Sequence, residues 1–209
     1  APESPSRDAL MACMYFGGQR PTQLLRLTPK QVDVSGATVT LLDPKGRNRH
    51  ANPRRHLLPI LDDLMPVIRR RLAQAEDAES PIFSTNGRVP LRKETVALLV
   101  TEIAKAMQKA GELERGPFSM RDLRRTAETH MAALGISSDV RAQIQSHGLG
   151  GIQARHYDRH DYMPEKRAAL EKWSRRFRNL PKASQRASSP GRARRDPKRD
   201  SVKRSVVAG

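Results

Sequence analysis

The stretch Gln31-Val32-Asp33-Val34-Ser35-Gly36-Ala37-Thr38-Val39-Thr40-Leu41-Leu42-Asp43-Pro44-Lys45-Gly46 decides the architecture of this chain. Strand-forming residues fill two short runs, Gln31 to Val34 and Thr38 to Leu42, and Ser35-Gly36 between them reads as a turn. Asp43-Pro44-Lys45-Gly46 is a second turn, after which Arg55 to Ile60 forms a third run. Together these predict a small three-stranded antiparallel sheet.

On both sides of the sheet the pattern is helical. A helix over Asp8 to Phe16 is closed by Gly17-Gly18, and a short one starts at Pro21, a residue favoured in a first helical turn. Leu61, Leu64, Met65, Ile68 and Leu72 recur at i, i+3, i+4, i+7 and i+11, and Val96, Leu99, Val100, Ile103 and Met107 repeat that spacing. Leu123, Ala127, His130, Met131 and Leu134 mark another helix, stopped by Gly135; Ser138 reads as the cap of the next, which ends near His147-Gly148. A last helix spans Glu165 to Phe177. The expected fold is mainly α with a small three-stranded sheet (α+β), with no internal repeat and no second hydrophobic core.

At 209 residues the chain fits one domain with an appendage. Its longest apolar run, Ala9 to Phe16, has eight residues, against the ~20 that a spanning helix needs, so no membrane association is expected. A single cysteine, Cys13, excludes a disulfide framework and a Cys-based zinc site. The opening Ala1-Pro2-Glu3-Ser4-Pro5 is not a signal peptide, and Ala1 in place of an initiator methionine reads as a fragment. The formal net charge is +17, which calls for a polyanionic partner, nucleic acid first and an acidic membrane surface second. From Pro181 to Gly209, nine Lys/Arg against two acids give a local +7 in a segment poor in large apolar residues. The division expected is therefore a folded domain over 1–180, itself carrying +10, and a disordered basic tail over 181–209.

Four cationic features lie on or beside turns. Arg20 precedes Pro21 at a helix start, where guanidinium and helix N-terminus both favour an anion. Lys45 sits on the strand turn, where a flexible ammonium reaches an oxygen and gives it a proton. In Phe118-Ser119-Met120-Arg121-Asp122-Leu123-Arg124-Arg125-Thr126, Arg121 and Arg124 share a helix face, a repulsive pairing that a phosphate between them resolves. The plainer alternative is an Arg124–Glu128 pair. Between His147 and Tyr162 lie three histidines and two tyrosines. His156 and His160 have a metal-ligand spacing, but no cysteine is near and no metal is expected. Tyr157, flanked by His156 and Arg159, is either an activated phenol nucleophile or a packing residue.

These features also occur in a telling order. Gly18-Gln19-Arg20-Pro21, a Lys on a strand turn, Arg121-Asp122-Leu123-Arg124-Arg125-Thr126, then His147 with Tyr157 ten residues later, resemble the tyrosine recombinases, the phage-integrase family. The stretch Tyr157 to Trp173 is similar to the ends of prophage and genomic-island integrases, and the resemblance covers Asp8 to Phe177. It implies that Arg20 and Arg124 are the two catalytic arginines, Lys45 the acid for the leaving oxygen, His147 a phosphate hydrogen-bonder and Tyr157 the nucleophile. Tyr162, fifteen residues after His147, falls outside the family's spacing.

Two positions depart from the family. Arg121 stands where a His is usual, and a guanidinium, always protonated, is no general base. It is expected to supply charge and hydrogen bonds to the phosphate. Gln23 replaces the usual acid three residues after the first arginine; a hydrogen bond to Arg20 remains available, a charge partner does not. The resemblance further implies double-stranded DNA as partner, self-association as a tetramer on DNA in the full-length protein, N-terminal DNA-binding domains absent from this piece, a cytoplasmic, nucleoid-associated location and no cofactor. No Gly-x4-Gly-Lys-Ser/Thr loop is present. Competing readings are a non-catalytic DNA-binding relative, a type IB topoisomerase-like strand cleaver and a basic ribosomal or nucleoid protein.

Overall fold

The computed structural model describes residues 4–43, 53–114, 116–147 and 161–180. Helix α1 (Pro5–Tyr15) starts on a proline, whose missing N–H costs nothing in a first turn, and buries Asp8, Ala9, Ala12 and Cys13 along one face. Gly17 and Gly18 end it at φ +76° and +81°, in the left-handed region. Space as well as dihedral demands glycine there. A Cβ on Gly17 would lie 2.7 Å from Ile144 Cγ2, and one on Gly18 would lie 3.0 Å from Ala127 Cβ. Helix α2 (Pro21–Leu24) follows at once.

The sheet runs β1 (Val32–Asp33), β2 (Thr38–Asp43), β3 (Arg54–Pro59), antiparallel in that order. Asp33 Oδ1 accepts from Gly36 N at 2.9 Å and shapes the first turn. Val39 and Leu41 pair with Leu58 and His56 across β2 and β3, and all four are buried. The expected sheet is thus present, with β1 shorter than the run Gln31 to Val34 suggested. The Lys45 turn lies outside the described residues.

The remaining helices are α3 (Met65–Ala73), α4 (Lys93–Lys109), α5 (Met120–Ala133), α6 (Ser138–Gln145) and α7 (Met163–Arg178). Apolar spacing places each of them, but capping sets their ends. Leu61 and Leu64 fit the period of α3 yet precede it, Leu64 serving as its N-cap. A capping box starts α5: Ser119 donates through N and Oγ to Asp122 Oδ2 at 3.0 and 2.7 Å. The cap of α6 is Ser137, not Ser138, its Oγ accepting from Val140 N. All these elements belong to one compact unit ending at Asn179. The tail expected over 181–209 lies outside the described residues.

Contrary to the single core expected, the buried apolar residues form two clusters. The first joins α1, α2, the sheet, α3 and α4 through Phe16, Leu24, Leu41, Leu58, Ile68, Phe83 and Val96. The second joins α5, α6 and α7 through Ala127, Met131, Ile144, Leu170 and Trp173. Periodicity says which face of a helix is buried, not what it is buried against, so the division is invisible in the pattern. Helix α1 borders both clusters: Asp8 pairs with Arg70 and Arg71 of α3 at 2.7 and 2.8 Å, while Met14 O accepts from Trp173 Nε1 of α7 at 2.7 Å. Burial raises the Cys13 thiol to a pKa of about 12, leaving it a packing residue rather than a nucleophile. Among the described residues, no helix is long and apolar enough to cross a membrane.

Candidate functional site

The loop after α1 and the far ends of α5 and α6 meet through backbone carbonyls. The Gln19 side-chain amide, buried, donates to Phe16 O at 2.8 Å and to Ile144 O at 2.6 Å. The Gln145 amide, equally buried, donates to Gly17 O at 2.9 Å and Arg124 O at 3.5 Å. Two neutral amides thus lock segments 125 or more residues apart in sequence with no desolvated charge.

Arg124 completes this joint. Its Nη1 donates to Gly18 O at 2.6 Å, and its Nη2 to Gln145 O at 2.5 Å and to His147 Nε2 at 2.9 Å. The rigid guanidinium fork suits several fixed acceptors at once; an ammonium would not. Glu128, the alternative partner read from sequence, instead pairs with Arg141 at 2.7 Å. Because a guanidinium only donates, His147 Nε2 is the acceptor in this arrangement, and the neutral ring carries its proton on Nδ1. Ser146 turns the chain through φ +55° to bring His147 back over Arg124, and its Oγ accepts from Arg54 of β3.

Arg20 caps α2 two residues beyond Gly18, hence within ~7 Å of chain from the carbonyl that Arg124 holds. Its Nη1 is buried and has no hydrogen-bond partner among the described residues, and the same is true of Gln23 Oε1. The hydrogen bond that Gln23 was expected to offer this nitrogen is therefore not made. Arg121, one turn before Arg124 on α5, is exposed, so the two cations differ in setting: one fixed in the joint, one facing solvent.

Of the residues read from sequence, the structure joins Arg124 to His147, with Arg20 two residues beyond the Gly18 carbonyl that Arg124 holds and Arg121 one turn earlier on α5. Lys45, Tyr157, His156 and His160 lie outside the described residues. Tyr162 is half-buried and caps α7. Among the described residues, no group of three His, Cys, Asp or Glu is placed to hold a metal ion.

Sequence reading missed Gln19, Gln145, Arg54 and Lys166. Lys166 is buried on α7, its Nζ donating to Leu57 O of β3 at 2.9 Å and to Asp161 O at 2.8 Å. Burial chiefly, with a further effect from Arg54, lowers its pKa to about 8, against the pull of Asp161 and Glu165. Its signal was in the sequence: Lys166 is in register with Ala169, Leu170 and Trp173, the buried face of the helix.

The joint thus places the Arg124 guanidinium against the His147 imidazole, between segments of the two hydrophobic clusters. The family model described as "Phage integrase family" matches residues 1–163. Solved structures of similar fold include the XerA recombinase (15% identity, 87% of this chain and 68% of that one, TM-score 0.51). The integrase of mycobacterium phage Brujita matches at 17% identity over 83% of this chain and 53% of that one, TM-score 0.58. The Tn1549 transposon integrase in complex with transposon right end DNA matches at 16% identity over 79% and 58%, TM-score 0.52. The chain therefore spans between about half and two thirds of these structures' lengths. No curated protein sequence matches it.

Proposed function

The chain belongs to the phage integrase family, and on that premise we propose that it is the catalytic part of a site-specific DNA recombinase acting through a 3′-phosphotyrosyl intermediate. The observation that carries this reading is the Arg124 joint with Arg20 two residues from it in the chain: one guanidinium fixed by two carbonyls and touching His147, the other with a buried N–H that has no acceptor among the described residues. A scissile phosphate supplies the missing acceptor oxygens. It would be gripped by Arg20 and Arg124, with Arg121 adding charge from the solvent side.

In this scheme the Tyr157 oxygen attacks phosphorus, the P–O5′ bond breaks, and Lys45 gives a proton to the departing 5′-oxygen. The phenol proton goes to water, because Arg121 has no basic atom to take it. A 5′-hydroxyl of a partner strand then reverses the step. The phosphotyrosyl bond keeps the energy of the one it replaced, so the scheme needs no nucleotide. Charge building on the phosphoryl oxygens is met by fixed donors, each worth roughly 10²–10³ in rate. His147 must release Arg124 or turn its ring to donate to the phosphate, since Nε2 is an acceptor without DNA. Double-stranded DNA is the partner, consistent with the +17 charge. Strand exchange between two duplexes requires self-association, as a tetramer in the full-length protein. The residues over 1–180 form the catalytic domain and 181–209 a basic tail.

A second reading, a non-catalytic DNA-binding relative, is favoured by Arg121 in place of a base and by Gln23 in place of an acid. One experiment separates the two. The protein is mixed with a pool of nicked duplexes of randomised sequence, and adducts that survive detergent are isolated. Wild type is expected to form covalent adducts and Tyr157→Phe none, with duplex binding retained. A normal yield of adduct from Tyr157→Phe would sink the assignment of the nucleophile; binding without adduct in wild type would establish the non-catalytic relative. Relaxation of supercoiled plasmid without joining of two duplexes would mark a topoisomerase.

A further inference from the structure

Ser146 ends α6 in a conformation that serine rarely takes. Its φ of +55° and ψ of +47° lie in the left-handed region, where a Cβ is disfavoured and glycine is at ease. The turn itself is required at this point. It returns His147 N to Ala142 O at 2.9 Å and leaves His147 Nε2 to accept from Arg124 Nη2 at 2.9 Å. Glycine would make the same turn without strain, so the backbone alone does not account for a serine.

The side chain does. Ser146 is buried, and its Oγ accepts from Arg54 Nη2 at the start of β3. A hydrogen bond with a charged donor is among the stronger ones a protein makes. Two residues along the same strand, and so on the same face, His56 Nε2 donates to Gln143 O at 2.9 Å. His56 thus holds the last turn of α6, and Arg54 holds the residue that follows it. A strained residue persists where its surroundings over-determine it, and here a strand from outside the helix does so.

We propose that Arg54 is a positioning residue for strand cleavage: by gripping Ser146 Oγ it holds the left-handed turn that sets the His147 ring against Arg124. The consequence for DNA rests on the recombinase reading given above; the orientation of the ring does not. The hydrogen bond made by one imidazole nitrogen decides which nitrogen carries the proton. Arg124 donates to Nε2 and so keeps the proton on Nδ1, whereas an imidazole with no such partner favours Nε2. The tautomer of His147 therefore reports whether the turn is held.

The test uses the full chain and three variants: Arg54→Met, Ser146→Gly and the two combined. Ser146→Gly takes the turn without strain and removes the hydroxyl, so it keeps the fold even where Arg54→Met melts. The first readout needs no activity. In ¹⁵N-histidine spectra of the free protein at about pH 8.5, where an ordinary imidazole is neutral, wild-type His147 is expected as the Nδ1-protonated tautomer. The variants are expected to move it toward the Nε2-protonated form, with His56 unchanged. The second readout is the rate of covalent adduct formation at saturating duplex from the adduct-forming pool. It is expected to fall by roughly 10–100-fold in each single variant, with half-saturating DNA unchanged and no further fall in the double variant. A His147 tautomer that does not change overturns the inference. A shift of His56 along with His147 also overturns it, because it marks general loosening of β3. So does a loss of rate in Arg54→Met that Ser146→Gly does not share, which is the mark of Arg54 touching DNA itself. If wild type forms no adduct on any duplex, the strand-cleavage reading falls, and the tautomer comparison alone decides whether Arg54 holds His147.

Discussion

Arg20 and Arg124 are a matched pair for a stability experiment, because the structure assigns them opposite signs. Arg124 satisfies the carbonyls of Gly18 and Gln145, both buried residues, at 2.6 and 2.5 Å. Arg124→Met strands those two acceptors. At about 1–3 kcal/mol for each unsatisfied buried group, the loss is roughly 2–5 kcal/mol, a large part of a domain's stability. Arg20 is the reverse case. Its buried Nη1 has no acceptor among the described residues, and Gln23 offers it no carboxylate. Arg20→Met removes that unsatisfied donor, for an expected gain of about 1 kcal/mol. With a urea slope of about 2 kcal/mol/M, the Arg20→Met midpoint rises by roughly 0.5 M while that of Arg124→Met falls by roughly 1–2 M. The assay is urea unfolding of the free protein followed by Trp173 fluorescence. Both variants lose adduct formation by roughly 10²–10³ or more, so stability and activity separate cleanly for Arg20 alone. Equal destabilisation by the two substitutions would refute the claim that Arg20 is held in waiting for an anion.

Other positions give equally direct outcomes. Asp8→Ala leaves Arg71, 2% exposed, without its ion-pair partner; thermal or urea unfolding should show a loss of about 3–5 kcal/mol, and a change under 1 kcal/mol would contradict the pairing. Gly17→Ala forces a Cβ to 2.7 Å from Ile144 Cγ2 at φ +76°, and should cost at least about 1–3 kcal/mol in the same assay. Lys166 makes stability depend on pH. Its folded-state pKa of about 8 lies below the ordinary 10.5, so between those values the unfolded chain holds more protons and stability rises with pH. The rise, up to ~3 kcal/mol, should begin near pH 8 and be missing from Lys166→Met; parallel pH profiles for the two proteins would exclude it.

Much of the fold could be read from particular residues. Val39, Leu41 and Leu58 alternate as an inward face should, and Ala169, Leu170 and Trp173 repeat as a helix should. What could not be read was set by partners distant in sequence. Ser137 and Ser138 are both acceptable caps, and only the geometry that aims Ser137 Oγ at Val140 N chooses between them. Periodicity placed α5 and α7 correctly but had no means of showing that they share a core separate from that of α3 and α4. At the site, charge pointed to Arg124 and His147, and those two are hydrogen-bonded. The neutral amides of Gln19 and Gln145 carry no such signal, because a glutamine that satisfies a buried carbonyl looks the same in sequence as one on the surface.

Those glutamines bear on how an anion site survives without its anion. Holding two arginines at one seam is unfavourable by their mutual repulsion, and a carboxylate between them would relieve it while competing with the phosphate. Here the joint is closed by amide-to-carbonyl bonds, from Gln19 to Ile144 and from Gln145 to Gly17, which add rigidity without adding negative charge. Arg124 is held by the backbone dipoles of Gly18 and Gln145. Gln23, in place of an acid, makes no hydrogen bond through its Oε1, and the buried Arg20 Nη1 has no partner among the described residues. Among the described residues, the free protein bears a cost as an unsatisfied donor at Arg20. Converting Gln23 to Glu should shift that balance: a midpoint higher by about 1 kcal/mol of stability, from a half-buried charge-assisted bond to Arg20, and weaker hold on a phosphate-bearing duplex. A variant that gained neither stability nor a weaker DNA complex would show that Arg20 and residue 23 do not sense each other.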